Sequence, residues 1–305
     1  MNGLPLDATP RWLGRSTLRV FPLAYGCGRF AGTSVRDARA KLDAALALGV
    51  TLFDHADVYG GDGAAERLFG EALAEAPRLR DGMVIASKCG VVPGMPYDSS
   101  PAHVSAACEA SLRRLRIETL DLYQIHRPDW VAHPRALAGA LDALRRDGKI
   151  RAVGVSNHTP AQVDTLQRWL PFPIVTHQVA LNPWSLDALR DGVLDHCLRE
   201  RVAPLAAGPL AGGELLAPLE DARREPEGAR LTGLLECLDR LAAREGVARS
   251  AIALAWLLVH PAGIIPILGT QRADRIAAAA DAFRVTLSRQ DWYDVVVASQ
   301  GHRLP

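Results

Sequence analysis

The 305-residue chain contains no apolar run long enough to cross a membrane: the longest, Ala251 to Val259, has nine residues, where a spanning helix needs about 20. It also lacks an excess of charge. Its 35 basic and 34 acidic side chains leave a formal +1, so no electrostatic footprint for nucleic acid or an anionic membrane surface is present. Cysteine is scarce: five residues, at 27, 89, 108, 197 and 237, with no Cys-x-x-Cys pair. That excludes a disulfide framework or a structural zinc motif and predicts reduced thiols. The stretch from Met1 to Arg11 has no apolar core of a secretory signal, so the expected location is the cytoplasm. What is present is an ordinary globular composition, 49% hydrophobic and 23% charged, which allows a large buried core. At roughly 150 residues per domain, the length allows two domains or one large barrel.

Short β-type runs alternate with longer segments of helical period. The strand candidates are Val20–Tyr25, Thr51–Asp54, Met83–Ser87, Leu120–Ile125, Ile150–Val155, Ile174–Val179, Val202–Ala206 and Ile264–Leu268. Helix starts are marked by Ser34, by Ser100 before Pro101, and by Thr159-Pro160-Ala161-Gln162, a capping box with proline at the first helical position. Eight alternating units with no linker between them predict a single α/β domain over residues 1–305: a (β/α)8 TIM barrel with an extra C-terminal helix near Ser288–Ser299. The segment Gly208–Gly228 is too long for an ordinary connection and is expected to be a surface loop near the active face.

In such a barrel, chemistry gathers where the strands end. The second run ends in Asp54 with Tyr59 in the loop beyond, the third in Lys88 and the fourth in His126. Counting by two places Asp54 and Lys88 on inward faces. Two opposite charges in a barrel mouth must pair or suffer a large desolvation cost. A tyrosine beside the ammonium is expected to have its pKa lowered, making it a proton donor for a nascent alkoxide, with His126 bonding the same oxygen. A hydride would have to come from a cofactor. Taken one at a time, these residues also read as a helix cap, a packed ring, a solvated charge and a loop residue; their joint placement on successive strand ends argues otherwise.

The set Phe53-Asp54-His55-Ala56-Asp57-Val58-Tyr59-Gly60, Ser87-Lys88, Gln124-Ile125-His126-Arg127-Pro128-Asp129 and Gly154-Val155-Ser156-Asn157 resembles the aldo-keto reductase superfamily over about residues 18 to 283. It is most similar to the bacterial YdhF-like branch. The resemblance implies NADPH-dependent reduction of an aldehyde or ketone, with Tyr59, Lys88, Asp54 and His126 as the catalytic four. It further implies that Ser156, Asn157 and Gln178 hold the nicotinamide carboxamide. Gly26 would line the first loop beside that ring, Leu210 the loop after the seventh strand, and Gly269, Thr270, Gln271, Arg272 and Arg275 the 2′-phosphate end, where guanidinium groups favour NADPH over NADH. The chain departs from the family at Ala207, where an aromatic usually stacks on the nicotinamide, at Gly208, and at Ala278 and Ala279 near the adenine. Trp184 is a candidate to brace the ring instead.

Gly26-Cys27-Gly28-Arg29-Phe30-Ala31 fits a dinucleotide fingerprint, but Gly32-Thr33-Ser34 separates it from the helix, so it is read as a small-residue loop. Trp256 is assigned to the core. Phe30, Trp130 and Trp184 suggest a hydrophobic or small aromatic carbonyl substrate. The alternatives are a cofactor-sensing regulatory protein of the same fold, a metal-dependent hydrolase built on Asp54, His55, Asp57, His126 and His177, and a Schiff-base aldolase using Lys88. No metal is expected, since those residues contain no His-x-His pair. The sequence sets no oligomeric state, and a monomer is compatible with it.

Overall fold

The computed structural model describes residues 3–224 and 226–304. Eight strands pair in parallel: β1 (Ala24–Gly26), β2 (Leu52–Asp54), β3 (Val84–Cys89), β4 (Leu120–Ile125), β5 (Ile150–Ser156), β6 (Ile174–Ala180), β7 (Ala203–Ala207) and β8 (Ile265–Leu268). They close in the order β6-β7-β8-β1-β2-β3-β4-β5. The crossovers are α1 (Val35–Ala47), α2 (Ala64–Ala74), α3 (Pro101–Leu115), α4 (Pro134–Arg146), α5 (Pro160–Gln167) and α6 (Val193–Glu200). The last crossover carries α7 (Leu219–Ala222), α8 (Gly228–Glu245) and α9 (Arg249–Leu258), and α10 (Ala273–Ala278) and α11 (Arg289–Gln300) complete the chain. This is the (β/α)8 barrel with a C-terminal helix that the alternation predicts. Ser34, Ser100 and Thr159 each accept a backbone N–H at the start of α1, α3 and α5, where a helix leaves donors unpaired.

One predicted strand divides. Val20–Tyr25 is two elements, because Pro22 lacks the N–H that a barrel ladder needs. Val20 belongs with Arg19 to an antiparallel hairpin against Arg11–Trp12, and β1 begins only at Ala24. The hairpin seals the N-terminal end of the barrel. Leu13 and Val20, both fully buried, pack beneath Leu52, Ala86, Leu122 and Leu205 in the interior cluster. The fit is tight: a Cβ at Gly14, which has φ +57°, would lie 2.2 Å from the Val175 carbonyl oxygen. Outward faces of the strands pack against the helices in two larger clusters.

The segment Gly208–Gly228, in which residue 225 lies outside the described residues, is more ordered than a surface loop. Ala211–Leu216 forms a 3-10 turn and Leu219–Ala222 a short helix. Leu215 is fully buried, and Arg249 of α9 donates to the Leu215 and Ala217 carbonyls while pairing with Asp239. Trp256 is core, as assigned. Its ring stacks on Trp292 of α11 with centroids 5.0 Å apart, and each indole N–H donates to the other's carbonyl at 3.1 Å.

Candidate active site

The backbone ladder continues past the strand ends and aligns the segments that carry the polar side chains. Cys27 N–H donates to the Asp54 carbonyl (2.9 Å), His55 to Ala86 (2.9 Å), Asp57 to Lys88 (3.0 Å) and His126 to Cys89 (2.8 Å). Lys88 is thereby held at the mouth, 1% exposed, with all three ammonium protons used: on Asp54 Oδ2 (2.7 Å), the His55 carbonyl (2.7 Å) and Tyr59 Oη (3.2 Å). The His126 ring meets the Tyr59 ring edge-on, with centroids 6.0 Å apart. The structure therefore brings Asp54, Tyr59, Lys88 and His126 together at the C-terminal face.

Sequence reading named Gln178 only as a cofactor residue and missed Gln124 and Thr176, although all three help to hold Asp54. Gln124 donates to Oδ1 (3.3 Å) and Gln178 to Oδ2 (3.2 Å), while Thr176 Oγ1 donates to Gln124 Oε1 (3.1 Å). The signal was available in the alternation of the strands: Gln124 faces inward with Leu122, and Thr176 with Gln178. A second buried network lies behind β3. Ser87 Oγ donates to Glu66 Oε1 at 2.5 Å, and Arg114 Nε to Glu66 Oε2 at 2.7 Å. Nothing in the local sequence pattern singles it out, because its members come from β3, α2 and α3.

Burial alone would push the Lys88 ammonium down, but the adjacent Asp54 and Tyr59 outweigh it and its pKa stands above the ordinary lysine value. The phenol differs from expectation. The Lys88 charge is the strongest influence on Tyr59 and lowers its pKa, yet burial and the Asp54 charge together exceed it, and the pKa lies above its ordinary value. The carboxylate that keeps the ammonium in place also opposes its field at the phenol. Burial pushes the His126 imidazole down to about 3, helped by the charges of Lys88 and Arg127, so the ring is neutral at physiological pH. Burial, with the nearby Glu66 charge, raises the Asp57 carboxyl to about 7.

Beside these residues lies an amide-lined shelf. Ser156 ends β5 at 2% exposure. Asn157, at φ +59°, donates through Nδ2 to Ser156 Oγ (2.8 Å) and the His126 carbonyl (3.3 Å). Gln178 is 4% exposed, and its Oε1 is buried without a hydrogen-bond partner. A buried carbonyl oxygen left open next to Ser156 and Asn157 suits a ligand that brings an amide N–H. Gly26 pairs with Asp54 across β1–β2, and a Cβ there would stand 3.0 Å from Ile267 Cγ2. A Cβ on Gly28 would stand 3.3 Å from the Tyr59 ring, so small residues keep this side of the mouth open. As read from the sequence, the fingerprint-like loop ends before α1, whose cap is Ser34.

The other residues are more dispersed. Ala207 closes β7, half-buried, and Leu210 packs into the outer core. After β8, Gly269 is exposed, the Thr270 carbonyl accepts from Tyr25 Oη (2.9 Å), and Gln271 Oε1 accepts from Lys41 (2.9 Å). Arg272 turns its guanidinium onto Asp274, at 2.6 and 3.0 Å, and Arg275 is exposed. Phe30 is fully buried among Tyr25 and Phe69, so it does not line a substrate opening as expected. Trp184 is covered by the Arg230 guanidinium, 3.9 Å from its ring centre, and lines a cavity of about 380 Å³ with Glu214, Asp221 and Leu231. Trp130 is 86% exposed. His55 packs edge-on against Phe69 on the outer side of the barrel wall, and among the described residues no three His, Cys, Asp or Glu side chains are grouped to hold a metal ion.

Comparison with known proteins agrees with the barrel fold. A model of the Aldo/keto reductase family matches residues 22–298. The chain is 42% identical to a 6-dehydroglucose reductase of Novosphingobium aromaticivorans over 100% of both chains. It is 38% identical to a 6-dehydroglucose reductase of Agrobacterium fabrum over 93% of this chain and 96% of that one. It is 37% identical to oxidoreductase YdhF of Escherichia coli over 89% and 90% of the two chains.

Proposed function

The chain belongs to the aldo/keto reductase family, and on that premise we propose that it uses NADPH to reduce an aldehyde to an alcohol, with Tyr59 as the proton donor. The observation that carries the reading is the buried Lys88 ammonium between Asp54 Oδ2 at 2.7 Å and Tyr59 Oη at 3.2 Å. With its pKa above the ordinary value, Tyr59 holds its proton at neutral pH. It releases that proton only to an oxygen gaining negative charge, and the ammonium already bonded to its oxygen then stabilises the phenolate. Asp54 keeps the ammonium charged and fixed, and is itself fixed by Gln124 and Gln178. His126, neutral, has an N–H to offer the same substrate oxygen without competing for the proton.

Gln178, Ser156 and Asn157 would hold a nicotinamide carboxamide, since Gln178 Oε1 is a buried acceptor in want of a donor. A reduced nicotinamide, when bound, supplies the hydride that no side chain carries. The loop Gly269–Arg272 with Arg275 would take the phosphate-bearing end. For the substrate, the full-length similarity to two 6-dehydroglucose reductases supports a sugar-derived aldehyde. The expectation of a hydrophobic or aromatic carbonyl loses one of its three residues, because Phe30 is fully buried.

The test is Tyr59→Phe, assayed with NADPH against 6-dehydroglucose and against an aromatic aldehyde. Loss of the proton donor should lower kcat by about 100-fold or more and leave the NADPH Kd within about twofold. Wild-type turnover by the variant refutes the assignment. NADPH binding without reduction of any carbonyl by the wild type would favour the regulatory reading, which the small Ala207 side chain on the nicotinamide side otherwise supports only weakly.

A further inference from the structure

Lysine is almost never fully buried unless it is paired. The described residues contain two buried lysines. Lys88 has a carboxylate at 2.7 Å, whereas Lys41, on α1 and 5% exposed, has none within 4.0 Å. The Lys41 ammonium donates to Gln271 Oε1 at 2.9 Å and to Thr33 Oγ1 at 3.4 Å, and it stands 5.2 Å from the centre of the Phe30 ring. None of these is an anion. Asp37, one turn earlier on α1, is the carboxylate whose charge it feels, and that group is already bonded by Ser34 at the helix cap at 2.8 Å. Burial holds the Lys41 pKa below its ordinary value, as an incompletely compensated cation requires.

The partners of Lys41 lie on two different rim loops, Thr33 between β1 and α1 and Gln271 between β8 and α10. The second loop is also tied down by Tyr25 Oη on the Thr270 carbonyl. Of the two cations that the sequence places at this end, Arg272 is 63% exposed and spends its charge on Asp274, and Arg275 is exposed to solvent, which screens it. The buried positive charge beside the loop that lacks a counter-ion is Lys41. We infer that Lys41 is a positioning residue for the anionic end of the dinucleotide: its ammonium braces Gln271 and gives the loop Gly269–Arg272 the positive charge that a phosphate monoester needs there. A buried charge without a counter-ion weakens the empty protein, and an arriving anion removes that weakness, so the two effects are coupled. The inference rests on the NADPH reading above.

The experiment titrates NADPH and NADH calorimetrically into the wild type, Lys41→Met and Lys41→Arg, and records the thermal unfolding of each without nucleotide. Lys41→Met should weaken NADPH by about tenfold while NADH changes less than about twofold. Its unfolding temperature without nucleotide should equal or exceed the wild type's, and Lys41→Arg should keep most of the NADPH affinity. Equal weakening of both nucleotides, unchanged NADPH affinity, or a lowered unfolding temperature in Lys41→Met would overturn the inference. Should Lys41→Met not fold, Lys41→Gln is judged in the same way: a loss confined to NADPH supports the inference, and no such loss ends it. A wild type that binds both nucleotides equally defeats the NADPH preference, whereas Lys41 is judged by each variant-to-wild-type ratio. A wild type that binds neither defeats both.

Discussion

Replacing Lys88 with methionine should separate what the Lys88–Asp54 pair does for folding from what it does for chemistry. The two groups are 1% and 2% exposed and 2.7 Å apart. Removing the ammonium leaves a buried carboxylate with only the Gln124 and Gln178 amides, at 3.3 and 3.2 Å. Breaking a buried pair in this way typically costs about 3–5 kcal/mol. Removing both charges is different: a well-packed apolar replacement for a buried pair is often neutral or stabilising by about 1–4 kcal/mol. The double variant Lys88→Met/Asp54→Leu should therefore recover most or all of the loss, giving a coupling energy of at least about 2 kcal/mol in a double-mutant cycle. Urea unfolding of the four proteins measures this, provided m is unchanged between them. Carbonyl reduction should stay lost in the double variant, because no ammonium faces the Tyr59 oxygen. Additive destabilisation, or recovered turnover in the charge-free protein, would refute the reasoning that this pair is retained for chemistry at no net gain in stability.

Two further outcomes follow from the same geometry. Ala207→Tyr restores an aromatic at the end of β7 and should tighten nicotinamide binding by about 0.5–1.5 kcal/mol, the value of an added ring contact; fluorescence titration with NADPH would show it, and an unchanged Kd would mean that the ring does not pass that position. The Asp57 carboxyl, raised to about 7, binds a proton in the folded protein at pH values where the unfolded chain has released it. Folding should thus lose stability as pH rises from about 4 through 7, by linkage. Asp57→Asn removes this term, so the wild type should fall behind the variant in unfolding temperature across that range; parallel curves would contradict the assigned burial.

The barrel was legible because its strands are short apolar runs separated by capped helices, and seven of the eight predicted runs coincide with single strands of the barrel to within a residue or two. The eighth failed at Pro22, where apolar character persisted but ladder bonding could not. At the site, Asp54, Lys88 and His126 were visible as polar residues ending apolar runs, and Tyr59 as the phenol in the loop just beyond Asp54. What escaped was the support around them: Gln124 and Thr176 read as ordinary strand residues until the closed barrel turned both toward Asp54. The Tyr59 shift was also misjudged in direction, since one neighbour's charge was legible and the balance of three influences was not. Phe30 differs for a related reason, because a loop's sequence does not say whether its ring turns toward solvent, substrate or core.

The hairpin carrying Leu13 and Val20 makes the barrel a blind well. With its floor stoppered, everything that reaches the charged layer arrives and departs through one opening. On the proposed reading, a nicotinamide seated against Gln178 would enter before the substrate above it and leave after. On the proposed mechanism the same would hold for protons: one given away by Tyr59 would be replaced from bulk water by way of that shaft, so turnover and solvent exchange would share a single gate.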